Sequence, residues 1–300
     1  MKIKMIINPV SGQKKSHGIK AAVIERLKKR YALKHNDIFY TSQEKKRLET
    51  SFFDNCDSIV VAGGDGTLHY AVNTIKRLGL EIPLAYLPTG TVNDFGNCLK
   101  LPRTADSFCE MLENGNKKKI DIGLAGNDYF HYVVAGGAIN TVSYTTNQYL
   151  KNVIGEKAYY LSAVPKLPKI LSGTHIKIEC DELHHEQEAL LFFVTNSPII
   201  GGIEGMVPDA KMDDGQLHVL IIQKRSLFNT LQLIFDIKNG THLNRPDVLY
   251  FKTKRLSITQ YGLNSAHVGI DGEMHSASRT NIEIIPKGLT IIVPHSSEVA

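Results

Sequence analysis

Residues 59–73 read IVVAGGDGTLHYAVN and set an aspartate, Asp65, inside a glycine turn of the kind that admits phosphate. The apolar run Ile59 to Ala62 predicts a buried strand, and Leu68, Ala71, Val72, Ile75 and Leu78 recur behind the turn at helical spacing. A glycine turn from strand to helix offers unsatisfied N–H groups to an anion and lets it approach the backbone. Two common phosphate loops do not match. Walker A needs a lysine after its last glycine, where Gly66 is followed by Thr67 and Leu68, and G-x-G-x-x-G breaks at His69. A carboxylate repels polyphosphate unless a divalent cation lies between them or the carboxylate fixes its own loop by hydrogen bonds. An ordinary turn remains open for this stretch alone.

Two more polar loops follow expected strands: Asn8-Pro9-Val10-Ser11-Gly12, and Pro88-Thr89-Gly90-Thr91-Val92-Asn93-Asp94-Phe95. A parallel sheet would carry all three loops to the carboxyl ends of its strands, where ligands bind in such folds. A purely structural turn has no need of both Asp65 and Asp94. Further along, Asp271-Gly272-Glu273 reads alone as a hairpin turn, and Asp213-Asp214-Gly215 as a turn before a strand. His184-His185, within Asp181-Glu182-Leu183-His184-His185-Glu186, has no ligand spacing and reads as an exposed hairpin loop.

The elements that must hold these residues fall into two textures. The first 115 residues alternate strand and helix: strand Ile3 to Ile7, helix Ile19 to Lys29, strand Ile38 to Tyr40, a capping box at Thr41-Ser42-Gln43-Glu44, the strand and helix around GGDGT, and strand Pro83 to Leu87. After Gly115, strand-like runs follow one another: Ile120 to Leu124, Tyr129 to Ala135, Thr174 to Glu179, Leu190 to Thr195, Gln216 to Ile222, Arg255 to Thr259, His267 to Ile270, Ile282 to Ile285 and Leu289 to Val293. Helices are expected over 152–161 and 226–237. The fold class expected is α/β + β: an N-terminal parallel-sheet α/β domain over 1–118 and a C-terminal antiparallel β-sandwich over 119–293, with about 294–300 open to pack back on the first domain.

With 300 residues and 42% hydrophobic content the chain can bury two ordinary cores. Its apolar runs, such as Ala189 to Val194, are too short to cross a bilayer, and the first residues lack a signal peptide's apolar stretch, so a cytoplasmic protein is expected. Cys56, Cys98, Cys109 and Cys180 lack C-x-x-C pairing and read as buried thiols. The net charge of +5 is concentrated at Lys28-Lys29-Arg30, Lys45-Lys46-Arg47 and Lys117-Lys118-Lys119, which suit an anionic surface, although solvated helix ends explain them more simply. Nucleic acid is disfavoured, since the lysines are not interleaved with aromatics and tryptophan is absent.

Taken together, Asn8 to Gly12, Gly63-Gly64-Asp65-Gly66-Thr67, Pro88 to Asp94, Ile120-Asp121-Ile122-Gly123, Gly201-Gly202 after Asn196, Pro208-Asp209-Ala210 with Asp213-Asp214-Gly215, and Asp271-Gly272-Glu273 resemble the diacylglycerol kinase catalytic superfamily, which includes bacterial soluble diacylglycerol kinases and sphingosine kinases. The resemblance implies an ATP-dependent lipid kinase with its active site in a cleft between the two domains. It implies that Asp65, Asp94 and Asp121 hold Mg²⁺ through water, while Gly63, Gly64, Gly66 and Thr67 cradle phosphates with Asn8, Pro9, Gly12 and Asn93, and Ser11, Thr41 and Thr91 add hydroxyls to the nucleotide. Glu273 becomes the general base toward the lipid hydroxyl, with Asp271 orienting it or the metal. A second, structural metal would be held by the Asp214 side chain and the Lys211 and Gln216 carbonyls.

The resemblance also implies peripheral contact with the inner face of a membrane, and a homodimer. Phe130-His131-Tyr132 departs from the Phe-x-Asn common in the family, and Gly136-Gly137-Ala138 from a common Gly-Phe pair; both changes bear on the lipid acceptor. Val153 to Val164 and Pro198 to Ile203 could line an acyl-chain pocket or be core. An NAD kinase shares GGDGT but not the Pro88 to Asp94 loop, and a silent nucleotide- or lipid-binding protein would not need the full set of acids.

Overall fold

A computed structural model of the chain describes residues 1–12, 14–41, 47–137, 173–181, 183–261 and 267–295. The helix expected over 152–161, the apolar stretch Val153 to Val164, Ala138, Lys45, Lys46 and the capping box beyond Thr41 lie outside the described residues. The chain divides into two compact units, Met1–Ile122 with Pro286–Ala300, and Gly123–Ile285.

In the first unit, strands β1 (Ile3–Ile7), β2 (Ile38–Tyr40), β3 (Ser58–Gly63) and β4 (Leu84–Pro88) are all parallel. The last strand of the chain, β15 (Arg279–Val293), joins β4 in parallel through Ile291 and Leu84, giving the order β15-β4-β3-β1-β2. Every residue of β1, β3 and β4 is buried, as expected of a sheet covered on both faces. Helix α1 (Lys14–Tyr31) connects β1 to β2 and buries Val23 and Leu27, while α2 (Asp65–Arg77) follows β3 and buries Leu68, Ala71, Val72 and Ile75. Two shorter helices, α3 (Asp94–Cys98) and α4 (Ala105–Asn114), follow β4.

In the second unit every pairing is antiparallel. The order β14-β13-β7-β9-β8-β12-β15 uses β7 (Val133–Gly137), β8 (Thr174–Glu179), β9 (His184–Thr195), β12 (Arg255–Tyr261), β13 (His267–Ile270) and β14 (Glu273–Ser276). Strand β10 (Leu217–Gln223) lies between β9 and β11 (Val248–Thr253), and the end of β5 (Asn116–Ala125) pairs with β6 (Asp128–Phe130). Alternation of side chains along a strand builds two cores. Val134, Phe192, Val194, Val219 and Ile221 join the core with Ile178, Ile258, Ile270 and Ile282, whereas Val133, Phe193, Leu220 and Ile222 pack with Leu233 and Ile237 of helix α5 (Leu227–Lys238).

Several expectations need correction. The strand expected from Tyr129 to Ala135 is broken at His131 and Tyr132, whose backbone N–H groups bond to Asp271 rather than to a neighbouring strand. The runs Ile282 to Ile285 and Leu289 to Val293 are one strand, β15, which carries Pro286 and a left-handed Lys287 (φ 54°) without ending. His184 and His185 are strand, not loop: they pair with Glu179 and Ile178 across the β8–β9 hairpin. Lys117 to Lys119 open strand β5 rather than closing a helix. Strand β11, absent from the expectation, mixes apolar residues on both faces and hides the period of two. Cys98 and Cys180 are buried, but Cys56 and Cys109 are partly exposed. In the stretch Pro198 to Ile203, Ile200 belongs to the α5-side core.

Candidate active site: three glycine loops at one sheet edge

Strands β1, β3 and β4 end in register, Ile7 beside Ala62 and Gly63 beside Pro88, so the three polar loops leave the sheet side by side. Their backbones then touch. A Cβ on Gly90 would lie 2.5 Å from the Gly64 Cα, and a Cβ on Gly12 (φ 80°) would run into the Thr89 carbonyl. The Thr89 N–H donates to the Gly63 carbonyl at 2.8 Å and the Asn8 N–H to the Ala62 carbonyl at 3.0 Å. Glycine is therefore required here by loop-on-loop contact as well as by any ligand.

The third loop is closed by Asn93, which adopts the left-handed conformation (φ 57°, ψ 47°) that Asn tolerates better than most residues. Its amide accepts the Gly90 N–H at 2.8 Å and donates to the Gly90 carbonyl at 2.9 Å. The buried Tyr86 hydroxyl lies 3.3 Å from the Gly63 carbonyl and 3.4 Å from Asn93 Oδ1, linking the second loop to the third. Burial, helped by the Asp65 and Asp94 carboxylates, pushes this phenol far above its usual range, so it stays a donor.

The first loop is organised by Lys20, a residue outside the glycine motifs. Its ammonium donates to the carbonyls of Asn8 (2.8 Å), Pro9 (3.1 Å) and Ser11 (2.7 Å) and lies 3.2 Å from Ser11 Oγ. Lys20 is 3% exposed, and burial lowers its pKa. Four oxygen acceptors surround the ammonium, which meets them with three N–H donors. The sequence held a signal: Lys20, Val23 and Leu27 recur at core spacing, so this lysine sits on the buried stripe of α1. Ser11 stays partly accessible, as do Asn8, Pro9, Gly12 and Thr41, whose N–H donates to the Ile7 carbonyl at 3.0 Å.

Asp65 is the first residue of α2, where the helix dipole favours a negative charge, and it is partly exposed; Gly66 and Thr91 are exposed, while Thr67 is buried with its N–H on the Gly64 carbonyl at 2.9 Å. Asp94 is fully buried, and its backbone N–H donates to Asp65 Oδ2 at 3.3 Å. The fold thus brings two carboxylate residues together. An all-oxygen donor set of this kind suits a hard divalent cation such as Mg²⁺. Asp121, also buried, accepts the Lys287 N–H at 2.7 Å and so ties β5 to the kink in β15.

In the second unit, Asp271 and Gly272 form a two-residue turn between β13 and β14 with both φ positive (49° and 90°), the geometry of the tightest hairpins. The Asp271 side chain turns into the protein. It accepts the N–H groups of His131 (2.8 Å), Tyr132 (3.1 Å) and Val133 (3.1 Å), and His131 Nδ1 lies 2.6 Å from its Oδ2. Glu273, two residues on, is exposed at the start of β14. The same turn therefore buries one carboxylate and presents the other to solvent.

The Lys211 to Gln216 stretch is organised from within. Asp214 Oδ1 accepts the Gln216 N–H at 3.0 Å, and Oδ2 lies 3.0 Å from Nε2 of buried His218. His218 Nδ1 lies 2.8 Å from the Tyr250 hydroxyl. Burial holds this imidazole below its usual pKa despite the opposing pull of Asp214, and burial pushes Tyr250 up to about 12. Neutral His218 donating to Asp214 and accepting from Tyr250 satisfies all three groups. Each Asp214 oxygen thus has one partner within the protein and keeps a further lone pair.

Residues 2–125 match the family model of the diacylglycerol kinase catalytic domain, and residues 132–293 match that of the YegS C-terminal NAD kinase beta sandwich-like domain. A diacylglycerol kinase from Staphylococcus aureus strain RF122 / ET3-1 is 31% identical over 293 residues, covering 97% of this chain and 92% of the relative, and the one from strain MRSA252 matches to the same extent. A crystal structure of a diacylglycerol kinase from Bacillus anthracis superposes with a TM-score of 0.73 at 25% identity, over 97% of this chain and 96% of that one. The chain belongs to the diacylglycerol kinase family of lipid kinases, with an N-terminal parallel-sheet unit and a C-terminal antiparallel one.

Proposed function

We propose that the chain moves the γ-phosphate of ATP to a hydroxyl of a diacylglycerol-like lipid, with Mg²⁺ as the metal. The observation that carries this reading is the convergence of the Asn8, Gly63 and Pro88 loops at one end of the sheet, where glycines let the loops pack closely around Asp65 and Asp94. In this reading the N–H groups around Gly64 and Gly66, with the hydroxyls of Ser11, Thr67 and Thr91, hold the polyphosphate. Asp65 and Asp94, with Asp121 nearby in sequence to the second unit, would hold Mg²⁺, which supplies neutralisation of phosphate charge when bound. Asp271 holds the hairpin, and Glu273 takes the proton of the acceptor hydroxyl. A carboxylate is adequate for this role because a loose phosphoryl transition state demands little proton transfer.

The lipid acceptor implies that the protein works at a membrane surface, and no helix among the described residues is long and apolar enough to cross one. The test is phosphate transfer from γ-labelled ATP, with and without Mg²⁺, to diacylglycerol, monoacylglycerol, phosphatidylglycerol and sphingosine in mixed micelles, with NAD as soluble control. Labelling of diacylglycerol that requires Mg²⁺ supports the reading. Labelling of NAD alone, or of none, overturns it.

A further inference from the structure

Helix α5 is half committed. Its N-cap Ser226 accepts the Asn229 N–H, and Leu233 and Ile237 pack one side into the core with Val133, Leu220 and Ile222. At 100° per residue, Phe228, Gln232 and Phe235 fall on the opposite side. There Phe228 is 75% exposed and Phe235 60% exposed, two turns and about 10 Å apart along one stripe. Single exposed phenylalanines are ordinary, but two in line on an outward face mark a contact surface.

The charges around the stripe decide what it contacts. Asp236 is bound by Arg245, which also holds Asp247 through two bonds of 2.8 and 2.9 Å, so both acids are engaged within the protein although they share one cation. Lys224 is paired with Glu188 at 3.4 Å. Among the described residues from 223 to 247, the charged side chains that are exposed are Arg225, just before the helix, and Lys238, at its end. An uncharged aromatic stripe with a cation at each end is the pattern of a helix lying in a membrane interface. A second copy of the chain is the competing occupant, and it would have to bury roughly 800 Å² per partner, more than the two phenylalanines supply by themselves.

We propose that the outer face of α5 docks on an anionic phospholipid bilayer, Phe228 and Phe235 entering at headgroup depth while Arg225 and Lys238 meet lipid phosphates. The lipid-kinase reading supplies the reason to dock, but the binding itself is measured without catalysis. The test is co-sedimentation of the full chain with sucrose-loaded vesicles of phosphatidylglycerol and phosphatidylcholine in equal parts, and of phosphatidylcholine alone. Phe228→Ser with Phe235→Ser should weaken binding to both vesicle types by about tenfold or more. Arg225→Glu with Lys238→Glu should weaken binding by about tenfold on the anionic vesicles only.

Turnover of a short-chain diacylglycerol below its micelle concentration should stay as in the wild type, while turnover of vesicle-embedded lipid falls. Unchanged sedimentation of both variants overturns the proposal, as does a wild-type dimer that the serine pair converts to monomer. Loss of vesicle binding in a chain that phosphorylates no lipid leaves the docking surface standing and removes the kinase reading instead.

Discussion

His131 Nδ1 and Asp271 Oδ2 stand 2.6 Å apart with both side chains fully buried, and the same carboxylate accepts three consecutive N–H groups from residues 131 to 133. Three N–H donors converge on two oxygens, with the His131 ring beside one of them. Asp271→Asn replaces one oxygen with a donor that faces another donor, and should destabilise the second unit by about 2–4 kcal/mol in urea unfolding. A variant as stable as the wild type would show that the carboxylate does not hold the break between β6 and β7.

Lys20 acts on the first loop from beneath. Lys20→Met removes the donor to three carbonyls, and the loop from Asn8 to Ser11 should loosen, with amide hydrogen exchange there rising. KM for ATP should rise about tenfold while kcat changes less, because the loss is in positioning the nucleotide. Lys20→Arg should recover part of the loss. Equal KM values in Lys20→Met and wild type would remove Lys20 from the account.

The glycines separate by what surrounds them. Gly90→Ala puts a methyl 2.5 Å from the Gly64 Cα, so the second and third loops must part, and ATP affinity should fall at least about tenfold with a stability cost of about 1–3 kcal/mol. Gly18→Ala in α1 meets nothing within 4 Å and should stabilise the chain by about 1 kcal/mol. Similar thermal shifts for the two would mean the loop contact is not tight.

The His218 network sets a pH dependence. The folded imidazole titrates below its unfolded value of about 6.5, so the unfolded chain takes up the proton first as pH falls. The stability tied to neutral His218 is present above about pH 6.5 and is lost as pH drops from there toward the folded pKa. Tyr250→Phe, which removes the hydroxyl beside Nδ1, should cost about 1–3 kcal/mol at pH 7.5. Urea titrations at pH 7.5 and 5.5 on the wild type and His218→Gln measure the effect, and equal pH slopes would contradict it.

The first sheet was legible because its strands are short, fully apolar and followed by glycine loops, so period and punctuation agree. The loops were legible for the same reason, and the sheet register brings Gly12, Gly64 and Gly90 close to one another's segments. The groups that support the loops were harder to see. Lys20 reads as one more surface lysine until helix phase is counted, and Tyr86 is one apolar residue in a strand of five. Asp271 reads as a turn residue, and its hold on residues 131–133 spans about 140 positions that no local pattern connects. Asp214 matched a metal motif, and its buried partner His218, four residues on, lay outside that motif. Strand β15 looked like two strands because Pro286 usually ends one, and the Asp121 bond to the Lys287 N–H shows how the kink is tolerated.

The most direct measurement is phosphate transfer from γ-labelled ATP to diacylglycerol by the wild type, Asp65→Ala and Glu273→Gln, each first shown to be folded by circular dichroism. The account predicts Mg²⁺-dependent labelling by the wild type and a loss of about a hundredfold or more in kcat/KM for either variant. Near-normal turnover in Asp65→Ala would contradict the phosphate role of the glycine turn, and near-normal turnover in Glu273→Gln would contradict the assignment of the base.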